Sequence, residues 1–168
     1  MTFLFCIAVT ALTAFAQSKQ TIQNPMIDYP AFLNGATNVA ALRHQRRVTE
    51  EQFVQMAADS ATVVLDARSA IKYRLLHVKG ARNLSLPDMT AAELSKIIPA
   101  KDTRVLIYCN NNFKDQSDAF PAKIASASLN LYTFNSLHSY GYTNVYELGP
   151  LVDVNRTKLP LEGSLLTR

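Results

Sequence analysis

The chain has 168 residues, a formal net charge of +4 and a sequence pI near 9.1, with 48% apolar and 18% charged residues. That length suits one domain with short extensions. The charge is too small and too scattered for a nucleic-acid surface, which asks for a stripe of Lys and Arg with aromatics between them. The densest basic run, Arg43-His44-Gln45-Arg46-Arg47, reads as a solvated segment entering the domain.

Residues 1–16 read as a secretory signal peptide: an uncharged apolar run from Thr2 to Phe15, then Ala14-Phe15-Ala16 as a cleavage motif before polar Gln17-Ser18-Lys19-Gln20. The run is short for a membrane span. A periplasmic or secreted protein, free of the membrane after cleavage, is the expectation. Residues 17–46 form an N-terminal extension whose Asn24-Pro25, Tyr29-Pro30 and Asn34-Gly35 pairs are turn or loop signals. Ile27, Tyr29, Phe32 and Leu33 let part of this arm pack on the domain.

The domain itself is expected over residues 47–163, with 164–168 as a tail. Thr49-Glu50-Glu51-Gln52 spells a capping box, opening a helix that carries Phe53, Met56 and Ala57. Thr62-Val63-Val64-Leu65 is a buried strand. Ser69 to Leu75 is a short helix, and a brief strand surrounds Arg82-Asn83-Leu84. Thr90-Ala91-Ala92-Glu93 spells a second capping box, before a helix that Pro99 stops. Arg104 to Tyr108 is the most apolar strand. Residues 110–127 have no clean period. Ser128 caps a helix with Leu129, Tyr132, Leu137 and Tyr140 on one side and Gly141 at its C-terminal cap. Asn144 to Leu148 is the last strand, and an irregular tail holds Pro150 and Pro160. Strands alternating with helices predict an α/β fold with a mainly parallel central sheet and helices on both faces. Sites in such folds lie beyond the carboxyl ends of the strands.

Cys109 falls at that edge. With Cys6 in the apolar leader, it is the one cysteine of the mature chain, so no intramolecular disulfide is expected. Composition alone makes it a buried, inert thiol. Its sequence neighbours allow a second reading. Thiols become nucleophiles beside helix N-termini, cations or inward-facing amides. Asn110, Asn111 and Asn112 tolerate left-handed backbone, and Lys114 offers a cation. An ordinary polar turn fits the same residues equally well. His44 and His138 have no partners at metal-ligand spacing, so neither a metal nor another cofactor is expected.

Leu65-Asp66-Ala67-Arg68, Tyr73 and His77-Val78-Lys79-Gly80-Ala81-Arg82-Asn83 resemble the D-x-R and H-x-x-G-A-x-N signature of rhodanese domains. Val105 to Cys109 resembles their strand into the catalytic cysteine, and Gly141 to Leu148 their closing strand. The resemblance runs from about Val48 to Leu148 and implies a three-layer rhodanese-like fold of an exported bacterial type. It implies a sulfurtransferase in which Cys109 takes sulfur from a small donor such as thiosulfate as a persulfide. A thiol, a protein acceptor or cyanide would then remove it. It also implies that the loop of Asn110, Asn111, Asn112, Phe113 and Lys114 binds substrate, with backbone amides around the sulfur and Lys114 as the cation. Asp66 and Arg68 would brace the site, and His77 would satisfy core hydrogen bonds. The loop departs from the family: residues 113–123 look like an insertion, without glycine or arginine, that Phe113 and Phe120 could pack down. A helix beginning only at Ser128 would leave its dipole far from the thiol. A cysteine phosphatase would need an arginine clamp, and none lies between Cys109 and Arg156. The other alternative is a catalytically inactive rhodanese-like binding or redox-sensing module.

Overall fold

The computed structural model describes residues 22 and 24–166, so the expected signal peptide at 1–16 lies outside the described residues. In chain order the elements are α1 (Tyr29–Gln45), β1 (Arg47–Val48), α2 (Glu50–Ala57), β2 (Val63–Asp66), α3 (Ala70–Leu75), β3 (His77–Val78) and β4 (Arg82–Asn83). There follow α4 (Ala91–Ile97), β5 (Val105–Tyr108), β6 (Phe113–Lys114), α5 (Leu129–Ser139), β7 (Val145–Leu148), β8 (Val152–Asp153) and β9 (Leu161–Glu162). Five strands form a parallel sheet in the order β1-β7-β5-β2-β4. Among the described residues no helix is long and apolar enough to cross a membrane.

The central strands β2 and β5 are buried on both faces, as their unbroken apolar runs require. Strand periodicity divides them between two cores. Val64, Leu106 and Tyr108 meet Phe53 of α2, with Leu75 of α3 packed against that cluster. Val63, Leu65, Val105 and Ile107 meet Leu94 of α4 and Phe134 and Leu137 of α5. The helices therefore lie on both faces, as expected.

Several local expectations change. The N-terminal extension is not an irregular arm: α1 is a 17-residue helix, and Asn34-Gly35 lies inside it. Asp28 accepts a hydrogen bond from the Ala31 amide and Pro30 occupies the first turn, two start signals that outweigh the isolated turn pair. Thr49 and Gln52 make the full capping box, whereas at the second site only Thr90 accepting from the Glu93 amide is observed. In α5 the buried positions are Asn130, Thr133, Phe134, Asn135 and Leu137, while Tyr132 and Tyr140 are exposed. Their phenol rings marked the wrong face because tyrosine tolerates both environments. Gly141, at φ 85°, ends α5 with paired bonds from its own amide to the His138 carbonyl and from Tyr142 to Leu137, the Schellman arrangement.

The C-terminal segment is tied down by β9, which runs antiparallel to β3. Its return depends on Gly163, at φ 147°, where an added Cβ would lie 2.4 Å from the Leu75 carbonyl oxygen. Gly163→Ala is therefore expected to destabilise the protein by about 3 kcal/mol, through both strain and contact with immobile backbone. A urea midpoint unchanged from wild type would contradict this.

Candidate active site around Cys109

Cys109 follows β5 directly and is 1% exposed. The next three residues form one 3-10 turn rather than a left-handed cradle; among the described residues Asp115 is the sole non-glycine with positive φ. The Asn112 and Phe113 amides close that turn on the carbonyls of Cys109 and Asn110, and the Asn112 amide also faces the Cys109 side chain. The asparagines are explained by their side chains instead.

Asn112 is saturated. Its Oδ1 accepts from the Cys109 amide at 2.9 Å and from Asn130 Nδ2 at 3.0 Å, and its Nδ2 donates to the carbonyls of Leu148 at 2.7 Å and Pro150 at 3.2 Å. It thus joins the cysteine turn to α5 and to the exit of β7. Asn111 exchanges two bonds with the backbone of Lys123, closing the base of the insertion. Asn110 turns to the other side of the loop, where its side chain is buried and its Oδ1 has no partner.

The insertion is a packed excursion. Phe113 stacks on Phe120 at 4.2 Å between centroids and meets Tyr108 edge-on. Arg68 donates to the carbonyls of Ala119 and Leu76 and lies over the Phe120 ring. Asp66, fully buried, accepts from the Arg68 guanidinium and amide and from Tyr108 Oη. Burial works against charge on Arg68, yet Asp66 more than offsets it and raises its pKa. Burial pushes the Tyr108 phenol well above its ordinary value. Asp66 thus holds Arg68, and Arg68 in turn meets the insertion. His77 bonds the Tyr73 carbonyl and Glu162 and stacks on Tyr73, holding β3 to β9.

The excursion returns to its start. Ser128, the N-cap of α5, makes no capping bond; its Oγ lies 3.4 Å from Cys109 Sγ. The helix whose N-cap lies 19 residues downstream therefore starts beside the thiol in space, against the expectation that its dipole would be remote.

A cavity of about 300 Å³ opens next to the sulfur, lined by Cys109, Asn111, Asn112, Ser128 and Asn130 from these elements, and by Arg43, Arg47 and Glu147. Lys114 is not among its lining residues. It belongs to β6, is half-exposed and lies near Asp115 and Asp153, because pairing with β8 turns the chain away. Phe113 is core. The cations that line this cavity with Cys109 are Arg43 and Arg47, from the basic run that reads in sequence as solvated. Arg43 Nη2 lies 2.6 Å, and Arg47 Nε 3.3 Å, from Oε1 of the buried Glu147. Arg46 of the same run stacks over Tyr146. Nothing in the linear sequence couples position 147 to 43 and 47; one weak signal is a carboxylate in an otherwise apolar closing strand. A cavity of about 400 Å³ flanks the loop on the Asn110 side, with Arg68, Lys72 and Lys123. A larger cavity, about 580 Å³, follows β1 and the exit of β7 and does not include Cys109.

The rhodanese-like domain family model matches residues 49–149, and the chain belongs to that family. Among solved structures it is similar to the rhodanese-like domain of the Anabaena Alr3790 protein, with 21% identity and a TM-score of 0.51 over 73% of this chain and 83% of that one. It is also similar to the BH2092 protein of Bacillus halodurans, with 14% identity and a TM-score of 0.54 over 79% and 88%. At these identities the likeness defines the fold. A search of curated proteins finds no match.

Two outcomes follow from the geometry. Asn112→Ala is expected to cost about 3 kcal/mol, since it takes this partner from the Cys109 amide, the buried Leu148 carbonyl and the part-buried Pro150 carbonyl; an undiminished urea midpoint would refute the brace. Burial raises the Glu147 pKa despite both arginines. A carboxyl with a raised folded pKa adds stability below its unfolded pKa and loses it as pH rises through the folded one. Wild-type stability minus that of Glu147→Gln should therefore fall across that window. A difference that rises with pH would mean that ion pairing outweighs burial.

Proposed function

We propose that the protein is a sulfurtransferase that carries sulfane sulfur on Cys109. The observation that carries this reading is the placement of the sulfur. It lies at the carboxyl end of the central strand, beside the start of α5, next to a cavity holding two guanidinium groups. A helix N-terminus and nearby cations both favour negative charge on a reacting sulfur.

In the proposed reaction the Cys109 thiolate attacks the outer sulfur of a thiosulfate-type donor. A sulfur–sulfur bond to Cys109 forms, the donor's own sulfur–sulfur bond breaks, and sulfite leaves with that electron pair. An acceptor thiolate then attacks the outer sulfur of the Cys109 persulfide, taking it and returning the Cys109 thiolate. Cyanide in the same role leaves as thiocyanate. No metal or other cofactor enters either step. Asp66 and Arg68 act through the insertion they hold, and His77 through the β3–β9 pairing. The proposed setting is the periplasm or exterior, with residues 1–16 removed.

The rival is a binding or redox-sensing module, favoured by one observation: the thiol is only 1% exposed. Intact-mass analysis after thiosulfate treatment separates the two. Wild type should gain one sulfur atom, Cys109→Ser none, and cyanide should remove it. No added sulfur on wild type would sink the sulfurtransferase and leave the module. In the same spectra, exported full-length chain should have its mass counted from Gln17; a retained leader would overturn the cleavage proposal.

A further inference from the structure

We infer that Arg43 and Arg47 are the anion-recognising residues of the Cys109 cavity, so that it takes a small anionic sulfur compound and α1 is part of the site. Naming that compound a sulfur donor rests on the sulfurtransferase reading; the recognition of an anion does not. Both arginines lie outside the matched segment, residues 49–149.

Two guanidinium groups from different elements, the last turn of α1 and β1, converge on a single carboxylate oxygen. One Glu147 charge against two arginines leaves the group positive beside the thiol. The arrangement also has unmet polar capacity. Arg43 Nε is buried without a partner, as are Glu147 Oε2 and Asn130 Oδ1, and both of the latter residues are more than nine-tenths buried. The Asn130 orientation is set by its neighbours: its Nδ2 donates to Asn112 Oδ1, and Asn112 cannot flip without facing two carbonyls with its oxygen. Of these atoms Arg43 Nε is the donor that an anion can engage, whereas Glu147 Oε2 and Asn130 Oδ1 are acceptors that face an anion unfavourably, so recognition rests on the two guanidinium groups.

A guanidinium fork suits the oxygens of a sulfonate or carboxylate better than a lysine does. Arg47 is steadied for this task by a 2.8 Å bond from Nη2 to the Gly149 carbonyl. With a thiosulfate-type donor, the arginines would hold the sulfonate oxygens while the outer sulfur faces Cys109. The sulfite that departs would keep its charge against them. Helix α1 thus supplies a cation that the cysteine loop lacks.

The test uses the full mature chain and two alkylating reagents of nearly equal size, anionic iodoacetate and neutral iodoacetamide. The readout is the ratio of their rates at Cys109. Arg43→Gln and Arg47→Gln should each lower that ratio about fivefold, as expected for removing one charge close to the thiol. Arg43→Lys should preserve most of it, and Glu147→Gln should raise it, since it unmasks both arginines. A purely structural role would change both rates together and leave the ratio flat, which overturns the inference. So would a thiol that neither reagent reaches in the folded protein. Loss of the thiosulfate persulfide in wild type with the ratio pattern intact would remove the sulfurtransferase reading and keep the anion site. A persulfide with a flat ratio would do the reverse.

Discussion

The carboxamide of Asn112 sits where the cysteine turn, the first turn of α5 and the exit of β7 meet, and each of its polar hydrogens and its oxygen is used. A side-chain amide can accept and donate at once in a fixed plane, so no hydroxyl or carboxylate could replace it there. Through it, the backbone at Cys109 is held to two elements distant in sequence. The third asparagine of an unpromising polar run thereby sets where the sulfur lies relative to Ser128, Asn130 and the cavity.

A second buried network complements it from the other side of the sheet. Asp66 and Arg68 neutralise each other and reach Tyr108 and the insertion. Buried charges of this kind are retained only when paired and hydrogen-bonded, since desolvation otherwise dominates. With Phe113 and Phe120 stacked beneath them, they make the long insertion an ordered loop whose base Asn111 closes on Lys123. The excursion can therefore be long without separating α5 from the thiol.

Charge at the site follows the same logic of distant parts. Lysine in the cysteine loop is drawn outward by the β6–β8 pairing, while arginines before the matched segment are drawn inward by Glu147. The carboxylate stands on the same face of β7 as Val145, facing the side of the sheet covered by α1 and α5, where an apolar residue would ordinarily stand. Burying an acid there has a physical cost, which the paired guanidinium groups of Arg43 and Arg47 offset in part.

Apolar runs with β-branched residues located β2, β5 and β7 from sequence, because strands buried on both faces leave no other pattern. The capping residues Thr49 and Thr90 and the glycine at 141 marked helix ends because those signals are local. The D-x-R and H-x-x-G-A-x-N residues, read with the strand before Cys109, located the fold and the sheet edge that carries Cys109. The sequence pointed to Lys114 rather than to Arg43 and Arg47 as the cation of the site, and was silent on the hydrogen bonds of each asparagine and on the return of α5 to the thiol. Apart from the Asn112 bond to the Cys109 amide, these are contacts between residues 12 to 104 positions apart, and they exist only once a parallel sheet has brought its carboxyl ends together. Local signals located most strands and helix ends but neither α1 nor the buried face of α5; which side chains share a cavity is decided by packing, where a buried charge needs a partner.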